Sequence, residues 1–196
     1  MGVKLLCLPV GGEKKFRERF VDFISPRKGE WVLDVCCGTG TLSIMIAEKV
    51  RLQGVVVGVD LSPNMIKVAK QKGKHSNVEF VLATAELLPF RENTFNKALC
   101  SFGLHEMTRV GRRNALREIH IVLKKNGRLN VCDGNLPKNP FIRLIYKTAL
   151  KVVEEETAYN MIFKGNLWGE IRESGFNITE HKMYFLDTLQ MISARQ

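Results

Sequence analysis

The chain has 196 residues, 45% of them hydrophobic and 26% charged, with a formal net charge of +10. This composition suits an ordinary soluble globular protein, a single domain over residues 1–196 that buries a full core without metal or disulfide staples. No apolar run reaches the ~18 residues of a membrane span, and the opening MGVKLLCLPVGG, with one lysine and no small-residue cleavage site, reads as a mature N-terminus and not a signal peptide.

Residues 1–27 form a lead-in and a basic amphipathic helix, about Lys14 to Ile24. Phe16, Phe20, Phe23 and Ile24 share one face, and Lys14, Lys15, Arg17 and Arg19 the other. Such a helix packs on a sheet; the sharper alternative is a basic lid or membrane-surface helix. From Trp31 the pattern alternates. Trp31 to Val35, Val55 to Asp60, Val78 to Leu82, Lys97 to Phe102 and Gly127 to Asp133 are short apolar or β-branched runs bounded by turn residues, as strands covered on both faces are. Helical patterns fall between them. Thr41 to Arg51 follows Gly40, and Pro63 to Lys72 has Ser62 as N-cap with proline at the first helical position. Arg109 to Leu123 sets Leu116, Ile119, His120 and Leu123 on one stripe. Phe141 to Val153 is broadly apolar and reads as a buried helix, with a wall of an acceptor pocket shared with Tyr146 and Tyr159 as the alternative. Leu167 to Ser174 is stopped by Gly175. Asn177 to Phe185 and Thr188 to Ser193 then make a hairpin turning at Leu186 and Asp187. The expected fold is α/β, a Rossmann-like, doubly wound, seven-stranded, mostly parallel sheet with a C-terminal antiparallel hairpin.

Of five cysteines, Cys36, Cys37, Cys100 and Cys132 sit in or just after strand-like runs, and Cys7 in the lead-in. The number is odd and no CxxC pair exists, so neither a disulfide framework nor a metal site is indicated. Buried small hydrophobes in a reducing cytoplasm are the expectation.

The segment VLDVCCGTG, Val32 to Gly40, is a strand, a glycine turn and a helix start. Glycines let the backbone approach a ligand, and a helix N-terminus offers free N–H groups. Asp60 ends the next strand, where a carboxylate can accept ribose hydroxyls. The dinucleotide fingerprint would need a third glycine where Ser43 stands. An acid at Asp34 is costly beside a pyrophosphate and favourable beside a sulfonium or ammonium. The order acid, glycine turn, acid therefore suits a cationic nucleoside such as S-adenosylmethionine better than NAD.

These blocks resemble the class I S-adenosylmethionine-dependent methyltransferases, and within them the ubiquinone/menaquinone-biosynthesis C-methyltransferases. VLDVCCGTG looks like the first motif and GVDLSPNMIKVA, from Gly58, like the second. ATAELLPF, from Ala83, is similar to the adenine-binding block, and SFGLHEM, from Ser101, followed by ALREIHIVLKKNGRL, to the stretch after the fourth strand. The resemblance covers roughly residues 14 to 195. It implies that Asp34, Cys36, Gly38, Thr39 and Gly40 surround the methionine part of S-adenosyl-L-methionine, which leaves as S-adenosyl-L-homocysteine. It assigns Asp60 to the ribose, Leu61 and Met65 to the adenine side, Thr84 and Ala85 to the adenine edge, and Ser101 and Phe102 to the floor under the cofactor. The family's usual glycine is replaced at Cys36, implying a slightly wider turn, and its usual acid at Thr84. The Tyr-Asp pair that precedes the basic helix in the quinone enzymes is absent from this sequence.

His105, just past the fourth strand on the ligand side, is the candidate catalytic base, with Glu106 second. A structural hydrogen bond is the plainer role for His105. His120 reads as semi-buried and structural, His75 and His181 as surface residues. The acidic run Glu154 to Glu156 reads as a solvated helix end. The basic clusters Lys67 to Lys74 and Arg109 to Arg117 read as solvated faces away from the cofactor mouth. The expected activity is methyl transfer to a small, lipophilic quinol- or phenol-like acceptor. The alternatives are RNA, another small molecule including arsenic, or a non-catalytic cofactor-binding module. The positive charge fits peripheral contact with an anionic membrane better than nucleic acid, since no stacking-aromatic RNA signature accompanies it. Oligomeric state is not readable from the sequence.

Overall fold

The computed structural model describes residues 12–153 and 156–196, the side chains of 149–153 excepted. Cys7, the lead-in through residue 11, and Glu154 and Glu155 of the acidic run lie outside the described residues. In chain order the elements are α1 (Gly12–Ile24), β1 (Trp31–Val35), α2 (Thr41–Val50), β2 (Val55–Asp60), α3 (Pro63–Lys72), β3 (Val78–Leu82) and β4 (Phe95–Ser101). A single turn at Leu104–Glu106 leads to α4 (Arg109–Val122), β5 (Leu123–Gly134), α5 (Pro140–Val153), the short α6 (Glu156–Tyr159) running into a wide turn at Asn160–Lys164, α7 (Leu167–Glu173), β6 (Asn177–Tyr184) and β7 (Leu189–Arg195).

The strands form one seven-stranded sheet in the order β3-β2-β1-β4-β5-β7-β6. The first five run parallel; β7 lies antiparallel to β5, and β6 closes the edge antiparallel to β7. This is the expected doubly wound sheet with its terminal hairpin.

Alternation along the strands divides the core. Val32, Val56, Leu99 and Cys132 point to the face covered by Phe16, Phe20 and Ile24 of α1, Leu42, Ile46 and Val50 of α2, and Ile66 and Ala69 of α3. Their neighbours Leu33, Val57, Ala98, Cys100 and Val131 point to the other face, under Leu116 and Ile119 of α4 and Ile171 of α7. Period-two strands that are apolar at every position demand helices on both sides, and the fold supplies them. The apolar stripe of α1 is thus spent on the sheet and is not offered to a membrane.

Three expectations need correction. The helix at 140–153 is not buried along its length: Phe141, Leu144 and Ile145 are exposed, and only Ile142 and Tyr146 among its neighbouring apolar residues are half-buried. The Arg109–Arg117 cluster is not wholly solvated, because Arg112 is buried and clamps Glu170 of α7 through Nε (2.7 Å) and Nη2 (3.0 Å) while Nη1 donates to the Met107 carbonyl. His181 is half-buried with its ring edge-on to Trp168 at 4.4 Å, and burial lowers its pKa. His120 is half-buried against Phe176 as expected, and His75 is exposed.

Candidate active site

Strand order reverses between β1 and β4, so the loops leaving their carboxyl ends diverge to opposite faces and leave a crevice. A cavity of about 300 Å³ opens there. It gathers Asp34, Cys36, Gly38 and Thr39 from the end of β1, Asp60 and Met65 from the end of β2, and Ser101 and Phe102 from the end of β4. Residues that lie far apart in the sequence meet because parallel strands end on one edge.

Asp34 is fully buried at the cavity wall. Burial raises its pKa to about 7, and the Ser43 hydroxyl, donating at 2.6 Å, and the Arg17 charge only partly counter this. Ser43, the residue that breaks the dinucleotide fingerprint, is thus the partner of the acid. Asp60 accepts the Gly38 N–H at 2.8 Å on one oxygen and the Ser62 N–H at 2.9 Å on the other, tying the glycine turn to β2. A carboxylate has capacity for further donors beyond these two.

Gly40 begins α2 at φ 73°, and a Cβ there would lie 2.5 Å from the Phe80 ring. Both conformation and packing therefore require glycine. Cys36, where the resemblance leads one to expect glycine, has φ 59°. It keeps the left-handed backbone that glycine adopts freely, and its side chain is housed by Gly103, where a Cβ would come within 2.5 Å of the Cys36 Cβ. Cys36 and Cys37 are half-buried and Cys100 and Cys132 buried, none of them in a disulfide.

His105 sits in the turn after β4. Its Nδ1 lies 2.7 Å from Oδ1 of Asp133, and its backbone N–H reaches Oδ2 at 3.3 Å. Asp133, fully buried near the end of β5, also accepts the Gly134 N–H at 2.7 Å. A carboxylate on Nδ1 holds the ring in the tautomer that leaves Nε2 the basic nitrogen. The Phe102 ring stands edge-on to the imidazole at 6.4 Å, linking the pair to the cavity. Beyond Asp133, Tyr146 and Ile162 pack around Gly134, and Tyr159 stacks on Phe163 at 4.9 Å.

Gly40, Leu61, Thr84, Ala85 and His105 are not among the cavity-lining residues. Leu61 is exposed, Ala85 is buried in the core, and the Thr84 hydroxyl accepts the Glu86 N–H. The Ala83 N–H donates to the Asp60 carbonyl at 3.1 Å, so the segment leading to Thr84 and Ala85 runs beside the end of β2. Sequence reading missed Phe16, Arg17 and Phe20, through which α1 walls the cavity. It also missed Asp133, near the end of an unremarkable strand, and it set the Lys67–Lys74 cluster away from the mouth of the crevice, whereas Lys72 Nζ donates at 2.8 Å to Oγ1 of the cavity-lining Thr39. No local signal marks these three contributions, since each depends on a partner distant in sequence.

Comparison with known proteins agrees with this geometry. The model of the ubiE/COQ5 methyltransferase family matches residues 6–159. The chain belongs to this family. A demethylmenaquinone methyltransferase of Listeria welshimeri is 37% identical over 142 residues, covering 71% of this chain and 59% of that enzyme. The chain thus spans about three fifths of that relative's length. An uncharacterized methyltransferase of Synechocystis is 31% identical over 192 residues, 98% of this chain and 88% of the relative. Among solved structures, an S-adenosylmethionine-dependent methyltransferase of Aquifex aeolicus superposes with a TM-score of 0.72 over 91% of this chain and 88% of its own. At 18% identity that likeness speaks for the fold alone.

The donor set fits the cofactor of this family. A desolvated acid that resists ionisation gains from a cationic group placed beside it and loses from a phosphate. A buried carboxyl such as Asp34 would favour a sulfonium or ammonium over a pyrophosphate, and Asp60 stands at the next strand end on the same crevice.

Proposed function

We propose that the chain is an S-adenosyl-L-methionine-dependent methyltransferase acting on a small, lipophilic quinol- or phenol-like acceptor. The observation that carries this reading is the buried Asp34 carboxyl facing the crevice, across the glycine turn from Asp60. Bound there, S-adenosyl-L-methionine supplies an electrophilic methyl group and leaves as S-adenosyl-L-homocysteine. Asp34, Cys36, Gly38, Thr39 and Gly40 hold its amino-acid part and Asp60 its ribose. Leu61 and Met65 flank adenine, Thr84 and Ala85 extend that side along the end of β3, and Ser101 and Phe102 form the floor.

The leaving thioether needs no help, so the protein's work is alignment and, for a phenol, removal of a proton. His105 Nε2 takes the phenolic proton, and the Asp133 carboxylate stabilises the imidazolium that results. The electron density released makes the ring carbon beside the oxygen nucleophilic toward the methyl group; after transfer that carbon sheds its hydrogen to solvent as a proton, and the phenolic oxygen takes back the proton held on His105. The quinone relative named above supports an aromatic diol as acceptor, and the aromatic surface of Tyr146, Tyr159 and Phe163 beyond Asp133 supports a lipophilic one.

Calorimetry tests the cofactor. S-adenosyl-L-methionine or S-adenosyl-L-homocysteine should bind at micromolar affinity, roughly −8 kcal/mol, and NAD not at all; NAD binding without the nucleoside sulfonium would overturn the reading. Transfer of labelled methyl to a panel of hydroquinones, catechols and bulk RNA tests the acceptor, and turnover on RNA alone would remove the quinol assignment.

A further inference from the structure

The helix α5 departs from the rule that governs every other long helix of this fold. Its sequence PFIRLIYKTALKVV is among the most apolar of the helices, yet the apolar residues do not all face the sheet. Phe141, Leu144 and Ile145 are 70%, 63% and 56% exposed. At 100° per residue they fall within one sector about 100° wide. Ile142 and Tyr146 lie on the opposite side, where the Tyr146 hydroxyl meets Gly134 and the Thr188 carbonyl. The inner side of α5 therefore anchors it to the end of β5, and the outer side is an apolar strip without a protein partner among the described residues.

The rim of that strip is basic. Lys147 stands exposed beside one flank, and Lys138 is exposed in the lead-in, whereas Arg143 projects from the side away from the strip. No acidic residue lies between Lys138 and Val153. The Arg143 Nε donates to the Pro137 carbonyl at 2.9 Å, which ties the helix start to the loop from β5. A second exposed apolar residue, Leu186, stands at the tip of the β6–β7 turn, and that turn is bound to the same loop by Asn135 Nδ2 donating to the Asp187 carbonyl at 2.7 Å.

We propose that α5 is an interfacial helix that docks the protein on an anionic lipid surface. A protein partner would have to match an apolar strip with Lys138 and Lys147 at its rim; a leaflet of anionic headgroups over acyl chains offers both complements at once. Large side chains enter the acyl boundary while Lys147 and Lys138 meet the phosphates. The net charge of +10 adds long-range attraction to the same surface. The helix follows the carboxyl end of β5, whose last residues include Asp133, so docking brings the carboxyl edge of the sheet close to the lipid. The docking rests on α5 and not on the quinol assignment, and either can fail without the other.

Co-sedimentation of the full chain with phosphatidylcholine vesicles containing 30% phosphatidylglycerol, and with pure phosphatidylcholine vesicles, tests it. The expected result is binding to the anionic vesicles at least tenfold tighter than to the neutral ones, weakened by raising salt. Leu144→Asp with Ile145→Asp should reduce binding at least tenfold, and Lys138→Glu with Lys147→Glu should remove the preference for anionic lipid. Both double variants should keep the wild-type Tm and the affinity for S-adenosyl-L-homocysteine, since these side chains are exposed. Absence of binding to the anionic vesicles, or binding that neither double variant changes, overturns the proposal. So does a dimer in sedimentation velocity that the aspartate variant dissolves while vesicles bind neither form, because the strip would then pair two copies of the chain.

Discussion

Two carboxylates carry different burdens. Asp60 has its oxygens turned toward backbone N–H groups of the glycine turn and of Ser62, so it both shapes the turn and offers a charged acceptor to the crevice. Asp60→Ala should lower the affinity for S-adenosyl-L-methionine at least tenfold, because each lost charge-assisted hydrogen bond is worth about 1.5–3 kcal/mol. Calorimetry on a variant with native circular dichroism checks this, and an unchanged Kd would refute the ribose assignment. Asp133 acts through His105. His105→Ala should lower kcat on a phenolic acceptor by roughly 10²-fold with the cofactor Kd nearly unchanged. Asp133→Asn should produce the same split, since the amide no longer holds the ring in its working tautomer or stabilises the imidazolium, and His105→Ala should remove the acid limb of the pH–rate profile. If the pair only braces the loop after Ser101, cofactor affinity and kcat will fall together and the profile will keep its shape.

At the scale of elements, the joint between α4 and α7 rests on a buried ion pair. Arg112 and Glu170 are nearly inaccessible and meet through two parallel hydrogen bonds. Removing one charge leaves the other stranded. Glu170→Ala should therefore destabilise the fold by about 3–5 kcal/mol, whereas replacing both residues by methionine and leucine should cost little. Thermal unfolding of the single and double variants measures the difference, and a single variant as stable as wild type would show that the pair contributes no net attraction. The helix α1 illustrates the opposite economy. Its apolar side is buried by the sheet, yet Phe16, Arg17 and Phe20 also wall the cavity. One short amphipathic helix thus serves both as core and as lining.

For the whole molecule, the buried Asp34 couples stability, cofactor and pH. Its pKa in the fold, about 7, lies above the unfolded value of 3.8. The folded chain holds this proton where the unfolded chain has lost it. The group's contribution to stability is therefore fully present below pH 3.8 and is lost as pH rises through about 7. A cation bound beside Asp34 favours the ionised form, so binding must expel a proton below pH 7. Affinity for S-adenosyl-L-methionine should fall as pH is lowered from 7 to 5.5, approaching tenfold per unit, and Asp34→Asn should bind weakly without this dependence. Calorimetry in buffers of different ionisation enthalpy will count the proton released; a flat profile would mean that Asp34 keeps its proton in the complex.

The elements and their kind are legible in short stretches of the chain. Apolar runs such as VVVGVD and VLDV can only be strands covered on both sides, Ser62 with Pro63 marks a helix start, and the glycine turn between Asp34 and Asp60 announces the crevice. Burial and backbone conformation are local demands, and a short stretch of chain states them. Tertiary structure alone decided which distant groups meet. Asp133 reaches His105 because β4 and β5 run side by side, Lys72 reaches Thr39 across the mouth of the crevice, and Arg112 finds Glu170 between two helices. It also turned the apolar residues of α5 outward, where their composition alone argues for burial. Periodicity states that an element has an apolar face; only the packing of its neighbours determines whether protein covers that face.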